Sequence, residues 1–222
     1  MSAREAMLGR IRRSLGVSGA DVARRAAVAD RLARAPRGVV PARGQVPQDE
    51  RIALFADKAR AALADVEMVA TADIPAAIAR HLAARNLPAA LTSGLDPRLA
   101  RIPWERSVLD VRAGVASPQD AVTISYAEAG IAETGTLMLE SGPDNPTLLN
   151  FLPALHIAIV RAGDIVGDVE SALDYVRRRY GKGVMPRMVN MVTGPSRSGD
   201  IEQTMYLGAH GPVGLLVLIA VD

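Results

Sequence analysis

The stretch DERIALFADKARAALADVEMVATADIPAAIARHLAARNLPAALT, residues 49–92, decides the fold. Asp49 to about Ala64 has helical periodicity, and Val66 to Ala70 is an apolar run of strand length. Asp73 stands where a cap would, with Ile74-Pro75 in the first turn, so a helix is predicted from there to about Arg85. Leu87 to Thr92 and then Val108 to Val111 read as further strands. Helix and strand alternate, which predicts an α/β fold with a mostly parallel sheet covered on both faces.

Toward the N-terminus the texture differs. Residues 2–15 and 19–35 read as two amphipathic helices, with Met7, Leu8, Ile11 and Leu15 on one face. Pro36, Gly38, Pro41, Gly44 and Pro47 then break regular structure. The chain therefore divides into a helical arm and linker, residues 1–43, and a domain, residues 44–222. Ten arginines against three acids give the arm a formal charge of +7, which leaves −5 on the rest of a chain whose total is +2. Such a basic arm is either a solvated helical face or a docking element for an acidic partner. It carries no DNA- or RNA-binding motif and no aromatic platform, so nucleic acid is not expected as a partner.

Composition narrows the classes further. Hydrophobic residues make up 49% of the 222 residues but aromatics only 3%, so Ala, Val, Leu and Ile must fill the core. With no cysteine in the chain, disulfides and the usual thiolate ligands of iron–sulfur clusters are excluded. His81, His156 and His210 stand far apart with no partner at ligand spacing, so no metal site and no cofactor are expected. The longest apolar run, Val213 to Val221, is strand length, and the Arg-studded start has no apolar signal core. A cytoplasmic protein without a membrane span is expected.

Toward the C-terminus, Ala121 to Tyr126 and Thr136 to Glu140 are predicted strands with Ala127 to Gly135 as the loop between them. Leu155 to Arg161 is a buried strand, Asp168 to Tyr180 a helix, and Met188 to Val192 a strand. Gly194-Pro195-Ser196 is read as a turn into a short helix at Asp200 to Gln203, and Gly214 to Val221 as the strand that closes the sheet.

Three glycine-rich loops then gather the candidate chemistry. Gly130 to Thr136 offers the Glu133 carboxylate, the Thr134 and Thr136 hydroxyls and the freedom of Gly135. The competing reading is a turn whose threonines satisfy local backbone. Gly194, Ser196, Arg197 and Asp200 form the second group, where a helix start would attract an anion. Asp200 reads equally as a helix cap. His210, beside Gly211, stands just before the last strand, whereas His156 lies inside an apolar strand and reads as a satisfied core residue. The three loops are expected to meet in space, since open sheets gather ligands at strand ends.

The blocks AGIAETGT, ALHIAIVRAGDIV and TGPSRSGDIEQTMYLGAHGP stand in an order and spacing that resemble the lactate-utilisation protein C (LUD-domain) family. The resemblance runs over roughly residues 121–222. It departs from the family pattern at Met205-Tyr206, where an apolar pair is usual, and at Gly199, where Ala is usual. It implies a NagB/RpiA/CoA-transferase-like fold, a mostly parallel sheet with flanking helices. It also implies an accessory role in L-lactate oxidation to pyruvate, beside iron–sulfur subunits carried on other chains. Glu133 gains interest by fold-level analogy, because CoA transferases of this fold use a glutamate. The residues themselves leave open a free-standing enzyme or a binding module for an anionic small molecule such as a phosphosugar, CoA ester or folate, and a second copy of the chain as a partner. Glu133 and His210 are the candidate catalytic residues; Thr134, Gly135, Thr136, Gly194, Ser196, Arg197, Asp200 and Gly211 are the candidate ligand contacts.

Overall fold

The computed structural model describes residues 2–199 and 205–222. The chain forms two units, residues 1–39 and 40–222. In the first, α1 (Ala3–Ser14) and α2 (Val22–Arg34) bury no residue. Ser2 and Glu5 form a reciprocal capping box at the start of α1, and the Asp21 side chain accepts from the Arg24 N–H at the start of α2.

The second unit follows the alternating pattern. It runs α3 (Gln48–Ala61), β1 (Asp65–Val69), α4 (Ile74–Ala84), β2 (Ala90–Ser93), β3 (Asp110–Ala113), β4 (Val122–Tyr126), β5 (Ala129–Ile131) and β6 (Thr136–Glu140). It continues through α5 (Leu148–Phe151), β7 (Leu155–Arg161), β8 (Ile165–Val166), α6 (Val169–Tyr180), β9 (Val189–Val192), β10 (Arg197–Gly199), β11 (Met205–Leu207) and β12 (Gly214–Ala220). Six strands form a wholly parallel sheet in the order β1-β12-β7-β4-β2-β3. The mostly parallel α/β sheet expected from the alternation is thus the one that forms.

Side-chain alternation on the central strands feeds two cores. Leu155, Ile157 and Ile159 of β7 pack with Ile74, Ile78 and Leu82 of α4 on one face. Ala158 and Val160 pack with Phe55, Ala56 and Ala59 of α3 on the other. A smaller sheet, β8-β5-β6-β9, lies on that second side and is backed by Ala172 and Val176 of α6.

Several expectations need correction. Residues 127–135 are not simply a loop: β5 forms there, antiparallel to β6 and parallel to the two-residue β8. Gly130 and Ile131 find backbone partners that a short, glycine-containing stretch does not advertise. The last strand, β12, lies between β1 and β7. Asp73 makes no side-chain capping bond. The turn at Gly194-Pro195-Ser196 leads into β10, which pairs antiparallel with β11, and not directly into a helix. The proposed helix at Asp200 to Gln203 lies outside the described residues. Among the described residues no helix is long and apolar enough to cross a membrane.

Candidate functional site at the amino edge of the sheet

A cavity of about 290 Å³ opens where β7 and β12 begin. Its walls are Thr193 to Arg197 after β9 and His210 to Pro212 before β12. Backbone bonds stitch these walls together: the Ser196 N–H donates to the Pro212 carbonyl at 2.9 Å, and the Gly208 N–H donates to the Ser196 carbonyl at 2.9 Å. Gly194 has φ +70°, and a Cβ there would stand 1.9 Å from the Ala62 carbonyl oxygen, so only glycine lets this wall lie against the end of α3. Arg197 and His210 are exposed on the rim, and Ser196 is half-buried.

The floor is polar and deeply buried. His156, on β7, is 1% exposed and its Nε2 lies 3.1 Å from Ser125 Oγ on β4. Ser125 Oγ donates its proton to Asn150 Oδ1 at 2.7 Å, so towards His156 it can only accept, and Nε2 carries the imidazole proton. That leaves His156 Nδ1 as a bare acceptor and Asn150 Nδ2 as a bare donor, both buried and neither with a hydrogen-bond partner among the described residues. Both residues line the cavity. Burial pushes the His156 pKa down to about 4, so the ring is neutral at ordinary pH. The expectation that His156 is a satisfied core residue is therefore half right: one ring nitrogen is bonded and the other is not.

The remaining sequence candidates divide. Gly194, Ser196, Arg197, His210 and Gly211 all line this cavity. Thr136 Oγ1 lies 2.6 Å from Thr193 Oγ1 and Thr134 Oγ1 lies 2.7 Å from Thr136 Oγ1, so the first loop touches the second through a chain of hydroxyls without lining the cavity. Gly135, at φ +69°, packs on the backbone of Lys58 and Ala59 in α3. Glu133 is engaged elsewhere: its Oε1 accepts from the Val169 N–H at 3.2 Å, beside Asp168, which caps α6 through the Ser171 N–H at 2.9 Å. Two carboxylates at the positive end of a helix dipole are a structural arrangement. Glu133 and His210 are thus not brought to one cavity. Asp200 lies outside the described residues.

A second cleft, of about 420 Å³, lies at the opposite edge, where β2, β4 and β7 end. Arg98 reaches Asp96 Oδ2 and Glu128 Oε1, each at 2.6 Å, and stacks 4.3 Å above the Tyr126 ring. Tyr175 donates to Glu128 and Tyr180 to Glu140, each at 2.9 Å, and Arg179 Nη1 lies 3.4 and 3.3 Å from those two carboxylates. Burial would lower the Arg98 pKa, but its bonds to Asp96 and Glu128 outweigh this and raise it. Burial raises the Glu140 pKa against the opposing Tyr180 hydrogen bond. Sequence reading missed this cleft because its charged groups are scattered from Asp96 to Arg179 with no shared motif.

Among the described residues, no cluster of three or more histidine or acidic side chains is placed to hold a metal ion. What the amino-edge cavity can do is bind. It offers a guanidinium, two hydroxyls, two imidazoles and an amide, and no acidic side chain lines it among the described residues.

The fold is α/β, and the family model of the LUD domain matches residues 119–220. The relatives carry a more particular name. A Lactate utilization protein C from Geobacillus sp. (strain WCH70) is 33% identical over 135 residues, 56% of this chain and 56% of that protein. Another from Bacillus subtilis (strain 168) is 38% identical over 105 residues, 47% of this chain and 44% of that protein. The chain spans about half the length of the curated relatives it matches. A solved DUF162 family protein from Deinococcus radiodurans has a TM-score of 0.60 and 25% identity, covering 79% of this chain and 99% of that one.

Proposed function

We propose that the chain serves L-lactate utilisation as an accessory subunit that holds a small organic acid in the amino-edge cavity, beside an iron–sulfur partner that carries the electrons. The carrying observation is the cavity's lining: Arg197, Ser196, His210, His156 and Asn150 converge there, and no acidic side chain opposes them among the described residues. An unopposed guanidinium with nearby neutral donors suits a carboxylate. The names of the relatives supply the acid's class. A volume of about 290 Å³ favours lactate or pyruvate over a whole CoA ester or folate, which needs a cavity well above the lower end of the usual roughly 300–1,000 Å³ range. The chain contains no cysteine, so thiolate-bound clusters must come from another chain. The basic arm, with Met7 and Ile11 exposed on α1 and Leu15 exposed just after it, is the proposed docking element for that partner.

Titration calorimetry with L-lactate, pyruvate, phosphate and CoA tests the site. Binding of the two short acids, weakened about tenfold or more in Arg197→Ala and less in Ser196→Ala, is expected. No acid binding, or binding equal in wild type and both variants, overturns the site. Deleting the gene should abolish growth on L-lactate and leave growth on pyruvate intact; normal growth on L-lactate would overturn the role. The arm is tested by capture of the iron–sulfur partner, which residues 40–222 alone should retain poorly.

A further inference from the structure

The cavity floor is more specific than its rim. Among the described residues the rim has one full charge, Arg197, which any anion satisfies. The floor has one acceptor, His156 Nδ1, and one donor, Asn150 Nδ2, each buried without a partner among the described residues. Their states are tied together, because Ser125 gives its proton to Asn150 and receives one from His156. With Ser125 Oγ donating to Asn150 Oδ1, Nε2 carries the ring proton and Nδ1 presents a lone pair. Protonation does not change this at ordinary pH, since the ring is wholly buried and stays neutral.

We propose that His156 and Asn150 form a hydroxyl-reading subsite, in which Nδ1 accepts the α-hydroxyl proton of a 2-hydroxy acid while Asn150 Nδ2 donates to its carboxylate. This inference rests on the reading of the cavity as an acid site and names what that site selects. A 2-keto acid offers Nδ1 a carbonyl lone pair where a proton is needed, and a simple fatty acid offers nothing. A site built to pair with a hydroxyl rejects analogues that lack it, because the buried polar group is then left unpaired. The subsite therefore holds the hydroxy form of the substrate and releases the keto form. That is the preference a carrier of reduced substrate requires.

The test compares L-lactate, pyruvate and propionate by calorimetry on the full chain. Wild type should bind L-lactate about tenfold or more tighter than either analogue. In His156→Gln, shown to be folded by its thermal transition, that ratio should fall to near one. In Ser125→Ala the ring loses its tautomer anchor and the ratio should shrink. Imidazole nitrogen NMR of the wild type gives an answer that depends on no variant: the Nδ1 resonance of His156 should move on adding L-lactate and stay fixed with propionate. If none of the three acids binds, the acid-site reading fails and this inference with it. If all three bind equally and His156 Nδ1 does not respond, the hydroxyl subsite alone is wrong.

Discussion

At the carboxyl ends of β2, β4 and β7, Arg98 and Arg179 are held by Asp96, Glu128 and Glu140, and two tyrosine hydroxyls complete the set. At the amino ends of β7 and β12, Arg197 and His210 stand at the rim; among the described residues no acid lines the cavity, and His156 and Asn150 each keep one atom without a hydrogen-bond partner. The general rule for open α/β sheets places ligands at the carboxyl ends. Here the larger cleft does lie there, but its charges chiefly answer one another. On the proposed reading, a site is marked by polar groups left available more than by strand-end position alone.

The largest expected effect tests whether the carboxyl-edge network is structural. Arg98→Ala leaves Asp96 and Glu128, 7% and 6% exposed, without their shared cation. Removing one partner of a buried ionic group costs about 3–5 kcal/mol, and the partial exposure of Arg98 puts the loss near the lower end. Chemical denaturation measures it. A loss below about 1 kcal/mol would mean that the charges are not mutually committed, and the contrast between the two edges would collapse.

Next comes the pH dependence of the amino-edge floor. His156 titrates near 4 in the folded chain and near its ordinary 6.5 when unfolded. Between those values the unfolded state binds more protons, so stability is full above pH 6.5 and falls as pH drops toward 4. The loss is about 1.4 kcal/mol per unit, about 3 kcal/mol in all. His156→Asn should flatten this part of the stability–pH curve relative to wild type. An unchanged slope would show that the imidazole is not held neutral.

How much of this was legible beforehand follows from what each feature depends on. The parallel sheet could be read because helix and strand alternate from Asp49 onward, a local signal. Gly194, Ser196, Arg197, His210 and Gly211 could be found because glycines and polar groups cluster in short loops that bracket strands. β5 was missed because its three residues acquire strand character only from partners in β6 and β8. Glu133 was misjudged because its occupation by the Val169 N–H spans 36 residues of sequence. His156 sat in an apolar run, and its free nitrogen becomes visible only once Ser125 and Asn150 are seen to set its tautomer.

A smaller effect concerns how the cavity wall is built. Gly194→Ala forces a side chain into φ +70° and against the Ala62 carbonyl. Substituting Ala at such a position destabilises by more than about 1 kcal/mol. Gly142→Ala, where a Cβ meets nothing within 4 Å, is the matched control and should stay within about 0.5 kcal/mol. Equal melting temperatures for the two variants would show that the wall can shift away from α3. The amino-edge cavity would then not be a fixed shape.

The smallest effect is the most telling for the comparison. Arg197 is exposed on the cavity rim, so Arg197→Ala should leave the ligand-free protein within about 0.5 kcal/mol of wild type, in contrast to Arg98→Ala. The two differ once an acid is added. A ligand that binds only the folded state stabilises it by an amount set by its concentration relative to its Kd, about 2.7 kcal/mol at a hundredfold excess. Wild type should therefore melt higher with saturating L-lactate. Arg197→Ala should lose most of that rise while its ligand-free transition is unmoved. Added salt should shrink the wild-type rise too, since exposed charges are screened over about 8 Å at physiological ionic strength. If the ligand-free variant melts well below wild type, Arg197 supports the fold as Arg98 does. The two edges would then differ in degree only, and availability would no longer mark the site.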